Sequence, residues 1–314
     1  MPPRADAAGP AGPAGPTVLA GRVCAVTGAG RGLGRAYALD LAARGALVVV
    51  NDVGSAVDGS GRDERPGREV VERITAAGGT AVLSTADVAD WAGASALVAQ
   101  AVDAFGRLDV LVNNAGILRD RTIAKMSERE WDEVVRVHLK GAFATAHWAV
   151  RHWRERAAAG AVHGRLINTT SVSGLFGNSG QANYAAAKAG VAAFTAVAAM
   201  ELERLGVTAN AISPGAATRM TATIPGRGAE PEDDARSTRW PAAVVAWLAS
   251  RLSDGVTGRV FLTSGRRLAV AEGWHAGPSG DPVDDPAAVD EVVRRLLERA
   301  RPEADLSGAE RVRA

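Results

Sequence analysis

Cysteine, paired metal-binding histidines and long apolar runs are scarce in this sequence of 314 residues. A single cysteine, Cys24, excludes a disulfide scaffold and a cysteine-rich metal site. The five histidines form no HExxH or HxxxH pair, and His147 and His152 lie off one another's helical face. We therefore predict that no metal is bound. No run of 18 apolar residues occurs, so no membrane-spanning segment is expected.

Positive and negative charges nearly balance, since the chain has 36 Lys and Arg and 35 Asp and Glu, for a net charge of +1. Such a chain has no overall field that would attract nucleic acid or an anionic membrane. Residues 1–16 contain no apolar core of a secretory signal, and the last residues are not a peroxisomal address. We expect a cytoplasmic protein that begins with a disordered leader over residues 1–16.

Seven short apolar segments alternate with stretches of helical periodicity between Leu19 and about Ser264. Most are continuous apolar runs, which is typical of a parallel sheet covered on both faces. The pattern predicts an α/β fold, with one doubly wound parallel sheet of seven strands (Rossmann-type) and helices on both faces, over residues 17–265. The predicted strands are 23–27, 47–51, 81–85, 108–114, 165–170, 207–213 and 260–263.

Two long helices and three irregular segments complete the prediction. Ser127 to Glu130 is a capping-box sequence that opens the first helix, and the second runs from about Tyr184 to Leu205. Residues 54–67 predict a surface loop, and residues 221–240 a mobile flap. Beyond Gly265 the strand pattern stops, and residues 266–314 form a C-terminal extension with one docking helix from Pro286 to about Ala300.

A glycine-rich turn, TGAGRGLG, follows the first predicted strand. Gly28, Gly32 and Gly34 leave room for a pyrophosphate to approach backbone N–H groups, and the helix that follows presents its positive end. Placed between a strand and a helix, this spacing predicts a dinucleotide site.

The type of dinucleotide depends on two charged residues. Asp52 lies 24 residues after Gly28 at the end of the second strand, where an acid receives ribose hydroxyls and repels a 2′-phosphate. Arg31, in the glycine turn, is a candidate partner for that phosphate. Because a charge in direct ribose contact outweighs a flexible neighbour, we predict NAD as the cofactor and consider NADP the alternative.

The segment after the fifth strand carries the candidate reaction site. Tyr184 and Lys188 are four residues apart on one helical face, and Ser171 lies thirteen residues before Tyr184. A lysine cation favours the phenolate and lowers the pKa of a tyrosine, which then exchanges a proton with a substrate oxygen. Ser171 can hold that oxygen by a hydrogen bond. The alternative, a packed tyrosine and an exposed lysine, does not explain their coincidence with the glycine turn.

Taken together, TGAGRGLG, NNAG at 113–116, Ser171, YAAAK at 184–188 and SPGAATRM at 213–220 resemble the classical short-chain dehydrogenase/reductases. The resemblance covers about residues 19–264 and implies that NNAG steadies the sheet beside the cofactor. The cofactor-binding residues so expected are Gly28, Arg31, Gly32, Leu33, Gly34, Asp52, Asp87, Val88, Asn114, Ala115, Gly116, Tyr184, Lys188, Pro214, Gly215 and Thr218.

A finer likeness is carried by NNAGILRDR, RVHLKGAF and GNSGQANYAAAK. These segments look like the (3R)-hydroxyacyl-CoA dehydrogenase unit of multifunctional β-oxidation enzymes and like actinobacterial 17β-hydroxysteroid/β-hydroxyacyl-CoA dehydrogenases. The likeness implies NAD-linked oxidation of a bulky apolar secondary alcohol, a (3R)-hydroxyacyl-CoA or a 17β-hydroxysteroid. Leu175 and Phe176 are the candidate substrate wall, and the helices at 127–157 and 184–205 are expected to pair subunits in a homodimer or homotetramer.

One position departs from many classical members, which carry Asn where this chain has His138. In those members the Asn helps to hold a water that relays protons to the lysine, so His138 either joins the relay or fills packing space. Two alternatives stay open for the whole chain. One is an NADPH-dependent ketoreductase of 3-oxoacyl or polyketide thioesters, and the other is a dinucleotide-sensing protein without turnover.

Overall fold

The computed structural model describes residues 17–160, 162–217 and 234–310. The predicted leader, Thr218 and most of the predicted flap lie outside these residues. The strands are β1 Val23–Thr27, β2 Leu47–Asn51, β3 Thr80–Ser84, β4 Val110–Asn113, β5 Arg165–Thr169, β6 Thr208–Pro214, β7 Val260–Ser264 and β8 Arg267–Ala271. The helices are α1 Gly32–Ala43, α2 Arg65–Ala76, α3 Trp91–Phe105, α4 Glu128–Val135, α5 Gly141–Ala157, α6 Val172–Phe176, α7 Ala182–Leu202, α8 Arg239–Ala249 and α9 Pro286–Arg299.

The strands form one sheet in the order β3-β2-β1-β4-β5-β6-β7-β8. Strands β1 to β7 are parallel to one another, which confirms the doubly wound fold. The order reverses between β1 and β4, and such a switch point opens a crevice at the carboxyl ends of the strands. The ligand site is therefore expected beyond β1, β4 and β5.

The predicted number of strands was wrong by one. Strand β8 pairs antiparallel with β7, from Ser264 opposite Arg267 to Val260 opposite Ala271. A short turn at Gly265 makes this hairpin, so the sheet continues past the point where the sequence pattern stops. Leu268 and Val270 are both at least half exposed. An edge strand that buries so little has no apolar pattern to reveal it.

Helices cover both faces of the sheet, as predicted. Helices α1, α2 and α8 bury one face, in a core that includes Tyr37, Leu41 and Val245. Helices α3, α5 and α7 bury the other, where fully buried Trp153 donates a hydrogen bond from Nε1 to the carbonyl of Leu108 at 2.8 Å. Since the central strands β1, β4 and β5 are buried on both sides, their apolar runs are continuous.

Cys24 lies inside β1, between β2 and β4, and is fully buried. Burial raises the pKa of its thiol to about 12. A thiol that neither ionises nor meets solvent is inert packing, so this cysteine serves the core.

The first long helix begins as predicted and contains an irregular turn. The Ser127 hydroxyl oxygen accepts a hydrogen bond from the Glu130 N–H, and the Glu130 carboxylate accepts one from the Ser127 N–H, which completes the capping box. Between α4 and α5 the backbone adopts a π turn over Arg136–Lys140. Such bulges occur often at functional sites. This one carries His138 inward, to 3% exposure.

Helix α7 carries the Tyr184 motif and ends close to the predicted position. After Leu202 a single 3₁₀ turn leads to Gly206, whose φ of 69° is the left-handed conformation that commonly ends a helix. Among the described residues, Ala182–Leu205 is the one segment with the length and hydropathy of a membrane span. Its Asn183, Lys188 and Thr195 are buried in the protein, which is typical of the core helix of an α/β fold.

The C-terminal extension contains the predicted helix, α9, which buries none of its residues completely. Val289, Val293 and Leu297 are 38%, 42% and 52% exposed. After α9 the chain returns to the rest of the fold. The Arg267 guanidinium donates a hydrogen bond to the Ser307 carbonyl, which brings residues 304–310 beside the sheet edge.

Candidate active site

The glycine turn after β1 is shaped as a dinucleotide would require. Gly28 and Gly32 have φ values of 65° and 52°. A side chain at Gly34 would collide with the carbonyl oxygen of Gly28 and approach the Asn114 amide to 2.6 Å. Arg31, at the N-cap of α1, makes no side-chain hydrogen bond to the first turn. The N–H groups of that turn are thus available to a phosphate.

Asp52 follows β2 and faces the glycine turn. One carboxylate oxygen accepts a hydrogen bond from the Gly30 N–H and the other from the Gly54 N–H, both at 2.6 Å. Arg31 donates to the Ser55 carbonyl at 3.3 Å and lies 3.7 Å from Asp63. The two charged residues on which the cofactor prediction rests are therefore engaged differently.

Beside the turn is a cavity of about 260 Å³. It brings together most of the predicted cofactor residues. Those that line it are Gly28, Arg31, Gly32, Leu33, Asp52, Asp87, Val88, Asn114, Ala115 and Gly116. Its shape, its glycines and the uncapped helix end fit a dinucleotide.

The segment 53–63 forms a wall of this cavity, where the sequence indicated a surface loop. Its Val57 carbonyl accepts a hydrogen bond from the Leu118 N–H at 2.9 Å. A side chain at Gly59 would meet the Ile117 side chain at 3.1 Å. Ser55, Val57 and Arg62 line the cavity. Sequence reasoning missed these residues, because the contact that folds the segment inward is more than fifty residues away in the chain.

The NNAG segment holds the centre of the sheet, as the resemblance implies. The Asn113 amide donates to the Ala142 carbonyl and to Asn168, at 3.1 and 3.0 Å. The Asn114 amide donates to the carbonyl oxygens of Thr27 and Gly28. These hydrogen bonds join the glycine turn to the carboxyl ends of β1, β4 and β5, which together form the floor of the site.

Further expected cofactor-binding residues lie at the ends of other strands. Asp87 follows β3 and pairs with Arg136 at 3.3 Å, an arginine that the sequence reasoning did not select. Pro214 ends β6, and the Gly215 N–H donates to the Thr263 carbonyl of β7 at 2.7 Å. The carboxyl edge of the sheet thus gathers the expected cofactor residues that the structure describes.

Ser171, Tyr184 and Lys188 meet at the same edge. Ser171 caps α6 directly after β5 and is hydrogen-bonded to the Tyr184 side chain. The Lys188 ammonium lies 5.7 Å from the centre of the Tyr184 ring and donates to the Thr169 carbonyl at 2.6 Å. One helical turn of α7 therefore aligns the phenol and the amine, and the end of β5 supplies the hydroxyl.

The electrostatics of the pair differ from the expectation in one respect. Burial raises the pKa of Tyr184, although the hydrogen bond from Ser171 lowers it and Asp120 raises it further. Burial also lowers the pKa of Lys188, to about 7. The expected lowering of the phenol pKa was wrong for the protein alone, because desolvation outweighs the influence of a lysine that is itself poorly solvated.

His138 reaches the site from the π turn. Its ring stands edge-on to Tyr184, with 5.1 Å between ring centres. Nε2 lies 2.8 Å from the Ile117 carbonyl oxygen and 3.1 Å from the Ile117 N–H. Burial and the nearby Lys188 lower the pKa of His138 well below its ordinary value, so the ring is neutral. A side chain at Gly116 would collide with this ring, which explains the glycine that ends NNAG.

A second cavity of about 10 Å³ lies beneath these residues, lined in part by His138, Thr169 and Lys188. Within the described chain, His138 Nδ1 and Thr169 Oγ1 are buried without a hydrogen-bond partner. The space and its polar lining match what one water molecule needs.

Leu175 and Phe176, the predicted substrate wall, end the short helix α6 that Ser171 opens. Both are partly exposed. The C-terminal extension reaches this wall, since a side chain at Gly308 would lie 3.2 Å from the Phe176 ring. The sequence contained no signal for that contact.

Comparison with known proteins decides the family. The model of the family described as short chain dehydrogenase matches residues 22–227. The chain belongs to the short-chain dehydrogenase family. It is accordingly an oxidoreductase that acts on CH–OH groups with a nicotinamide dinucleotide. The described residues contain no cluster of His, Cys, Asp and Glu able to hold a metal ion.

Two curated relatives and one solved structure show how close the similarity is. Hydroxyacyl-CoA dehydrogenase ChsB1 of Mycobacterium tuberculosis is 45% identical over 285 residues, 85% of this chain and 87% of that protein. A crystal structure of a short chain dehydrogenase from Mycobacterium avium is 51% identical, with a TM-score of 0.84, and covers 93% of this chain and 100% of its own. Peroxisomal multifunctional enzyme type 2 of Mus musculus is 44% identical over 73% of this chain, which spans 30% of that protein.

Proposed function

We propose that this chain oxidises a (3R)-hydroxyacyl-CoA to the 3-oxoacyl-CoA, with NAD as acceptor. The observation that carries the proposal is the convergence of Ser171, Tyr184 and Lys188 at the carboxyl edge of the sheet, next to the dinucleotide cavity. The names of two relatives, a hydroxyacyl-CoA dehydrogenase and a peroxisomal multifunctional enzyme, support the substrate class.

Each residue has a role in this proposal. Ser171 binds the substrate hydroxyl oxygen, and Tyr184 takes the hydroxyl proton as general base. Lys188 would stabilise the phenolate and hold the nicotinamide ribose. The bound nicotinamide supplies the hydride acceptor. A water in the small cavity beside His138 Nδ1, Thr169 and Lys188 would carry the proton onward, so neutral His138 acts as a hydrogen-bonding partner of that water.

NAD is favoured over NADP by the arrangement around Asp52. Its carboxylate is at the end of β2 and lines the cavity, where it would accept hydrogen bonds from ribose hydroxyls and repel a phosphate. Arg31 also lines the cavity, but its guanidinium is engaged with the Ser55 carbonyl and Asp63. We expect Asp52→Ser to improve the use of NADP relative to NAD.

Initial rates at 340 nm test the proposal. The purified enzyme is given (3R)- and (3S)-3-hydroxyacyl-CoA and a 17β-hydroxysteroid, each with NAD and with NADP. We expect NAD-linked oxidation of the (3R) thioester, reduced about 10²–10⁴-fold by Tyr184→Phe. A preference for the steroid would contradict the proposed substrate, and a preference for NADP would contradict the proposed cofactor. Equal rates in wild type and Tyr184→Phe would contradict the role of Tyr184 as base.

Assembly into a homodimer or homotetramer is part of the same proposal. Helices α5 and α7 present a partly exposed apolar face, in which Phe143, Val197 and Met200 are 46%, 45% and 69% exposed. Phe143 packs edge-on against Phe194 at 6.1 Å between ring centres. Exposed aromatic and Met side chains grouped in this way are typical of interfaces. Light scattering of the wild type and of Phe143→Arg would show whether this face joins subunits.

A further inference from the structure

The turn that precedes α7 is tied to two other segments by a single buried amide. Gln181 accepts hydrogen bonds at Oε1 from the Ser173 hydroxyl and the Asn178 amide, at 2.8 and 2.9 Å. Its Nε2 donates to the Asp120 carboxylate at 2.8 Å. Gln181 thus joins α6, which Ser171 opens, to the segment that follows NNAG.

A second tie runs alongside the first. The Asn183 amide donates to the carbonyl oxygens of Arg119 and Glu130, both at 3.0 Å, while its Oδ1 accepts from the Tyr184 N–H at 2.7 Å. The backbones of Arg121 and Gln181 also form a bridge. The position of the Tyr184 side chain is therefore set by the segment 119–121 as well as by its own helix.

Asp120 is unusual within this network. Its Oδ2 accepts from Gln181, but its Oδ1 is buried and has no hydrogen-bond partner among the described residues. An incompletely paired carboxylate in a sheltered site is unfavourable for stability. Such a group calls for a structural reason, and its hydrogen bond with Gln181 supplies one.

We propose that Asp120 is a positioning residue of this enzyme, which holds the first turn of α7 through its hydrogen bond with Gln181 and adds a negative charge to the surroundings of the Tyr184 phenol. The inference rests on the proposed function for its kinetic consequences. Its electrostatic part concerns the phenol alone and does not depend on the identity of the substrate.

The charged and polar groups that surround or influence the phenol come from four elements. Lys188 approaches from α7 itself, the neutral ring of His138 from the π turn, Ser171 from the cap of α6, and Asp120 from the segment 119–121. Of these, Asp120 is the acid. It raises the pKa of Tyr184, in addition to the larger effect of burial. Removing its charge while keeping its shape should therefore ease ionisation of Tyr184.

The two tyrosines of the chain make a direct measurement possible. Tyr37 is fully buried, and burial raises its pKa far beyond the accessible range. The tyrosinate absorbance at 295 nm during an alkaline titration of the native protein therefore reports Tyr184, and Tyr184→Phe should abolish it. In Asp120→Asn we expect the midpoint to fall by roughly 0.5–1 pH unit. Asp132→Asn, an exposed change on α4, is the matched control and should leave the midpoint unchanged.

Kinetics separate the charge from the hydrogen bond. Asp120→Asn keeps an oxygen that can accept from Gln181, so kcat at the optimum pH should stay within a few-fold of wild type while the acid limb of the profile moves to lower pH. Asp120→Ala loses both the charge and the hydrogen-bond acceptor for Gln181, and kcat should fall at least about 10-fold with KM nearly unchanged. Circular dichroism checks that each variant is folded.

The outcomes are distinct. An unshifted 295 nm midpoint in folded Asp120→Asn overturns the charge role, and wild-type kcat in folded Asp120→Ala overturns the positioning role. If the wild type does not oxidise hydroxyacyl-CoA, the proposed function fails, but the titration still decides the electrostatic inference.

Discussion

The buried lysine of the site makes the stability of the protein depend on pH in a defined way. Lys188 is 3% exposed, and burial lowers its pKa from 10.5 to about 7. The unfolded chain therefore binds more protons than the folded chain between those two pH values. Stability rises with pH wherever the unfolded state holds the extra proton, so folding gains free energy as pH rises from 7 toward 10.5.

The size of this effect follows from the two pKa values. Each pKa unit corresponds to about 1.4 kcal/mol, so deprotonating Lys188 on folding opposes stability by about 4 kcal/mol at pH 7 and by about 2 kcal/mol at pH 9. Lys188→Met keeps the length of the side chain and removes the titration. The advantage of the Met variant over wild type should shrink by about 2 kcal/mol between pH 7 and pH 9.

Urea unfolding followed by tryptophan fluorescence measures both proteins at both pH values, without nucleotide and at one protomer concentration. Lys188→Met also removes the hydrogen bond to the Thr169 carbonyl, at both pH values. Lys125→Met, at an exposed position, is the control and should show no pH-dependent difference. A difference between wild type and Lys188→Met that stays constant within about 0.5 kcal/mol would refute the argument that desolvation governs this lysine.

Three further substitutions test the nucleotide site and the stability of the fold. Gly34→Ala introduces a side chain into the glycine turn and should weaken NAD binding at least about 10-fold, as measured by calorimetry. Gly141→Ala is the control: its new methyl group meets its nearest neighbour at 3.5 Å, and NAD binding should be unchanged. Ser127→Ala removes the capping box and should lower the unfolding free energy by about 1 kcal/mol. Trp153→Phe leaves the Leu108 carbonyl without its indole donor and should lower that free energy by about 1–3 kcal/mol in the same urea assay. An unchanged affinity or midpoint would count against the corresponding contact.

Patterns that depend on neighbours in the chain predicted the structure well. The continuous apolar runs identified the parallel strands, because burial on both faces leaves no alternation. The four-residue spacing of Tyr184 and Lys188 and the capping box at Ser127 are likewise local, and the structure confirms both.

Features that depend on distant contacts did not follow from the sequence. Strand β8 is held by its hairpin with β7 and buries little apolar surface. The segment 53–63 is held against the cavity by the hydrogen bond from the Leu118 N–H to the Val57 carbonyl. The pKa directions of Tyr184 and Lys188 follow from burial, which no spacing reveals. The residues that tie Tyr184 in place, Asp120 and Gln181, form their contact only when two loops meet.

Because of its position at the centre of the sheet, the Cys24 thiol can report unfolding of the whole domain. Its sulfur sits on a strand paired on both sides, so a thiol reagent reaches it only after the centre of the sheet has opened. Fraying of the edge strand or of α9 would leave it untouched. The rate at which native protein consumes such a reagent therefore measures rupture of the whole domain, and ligands that slow the reaction do so by stabilising the entire fold.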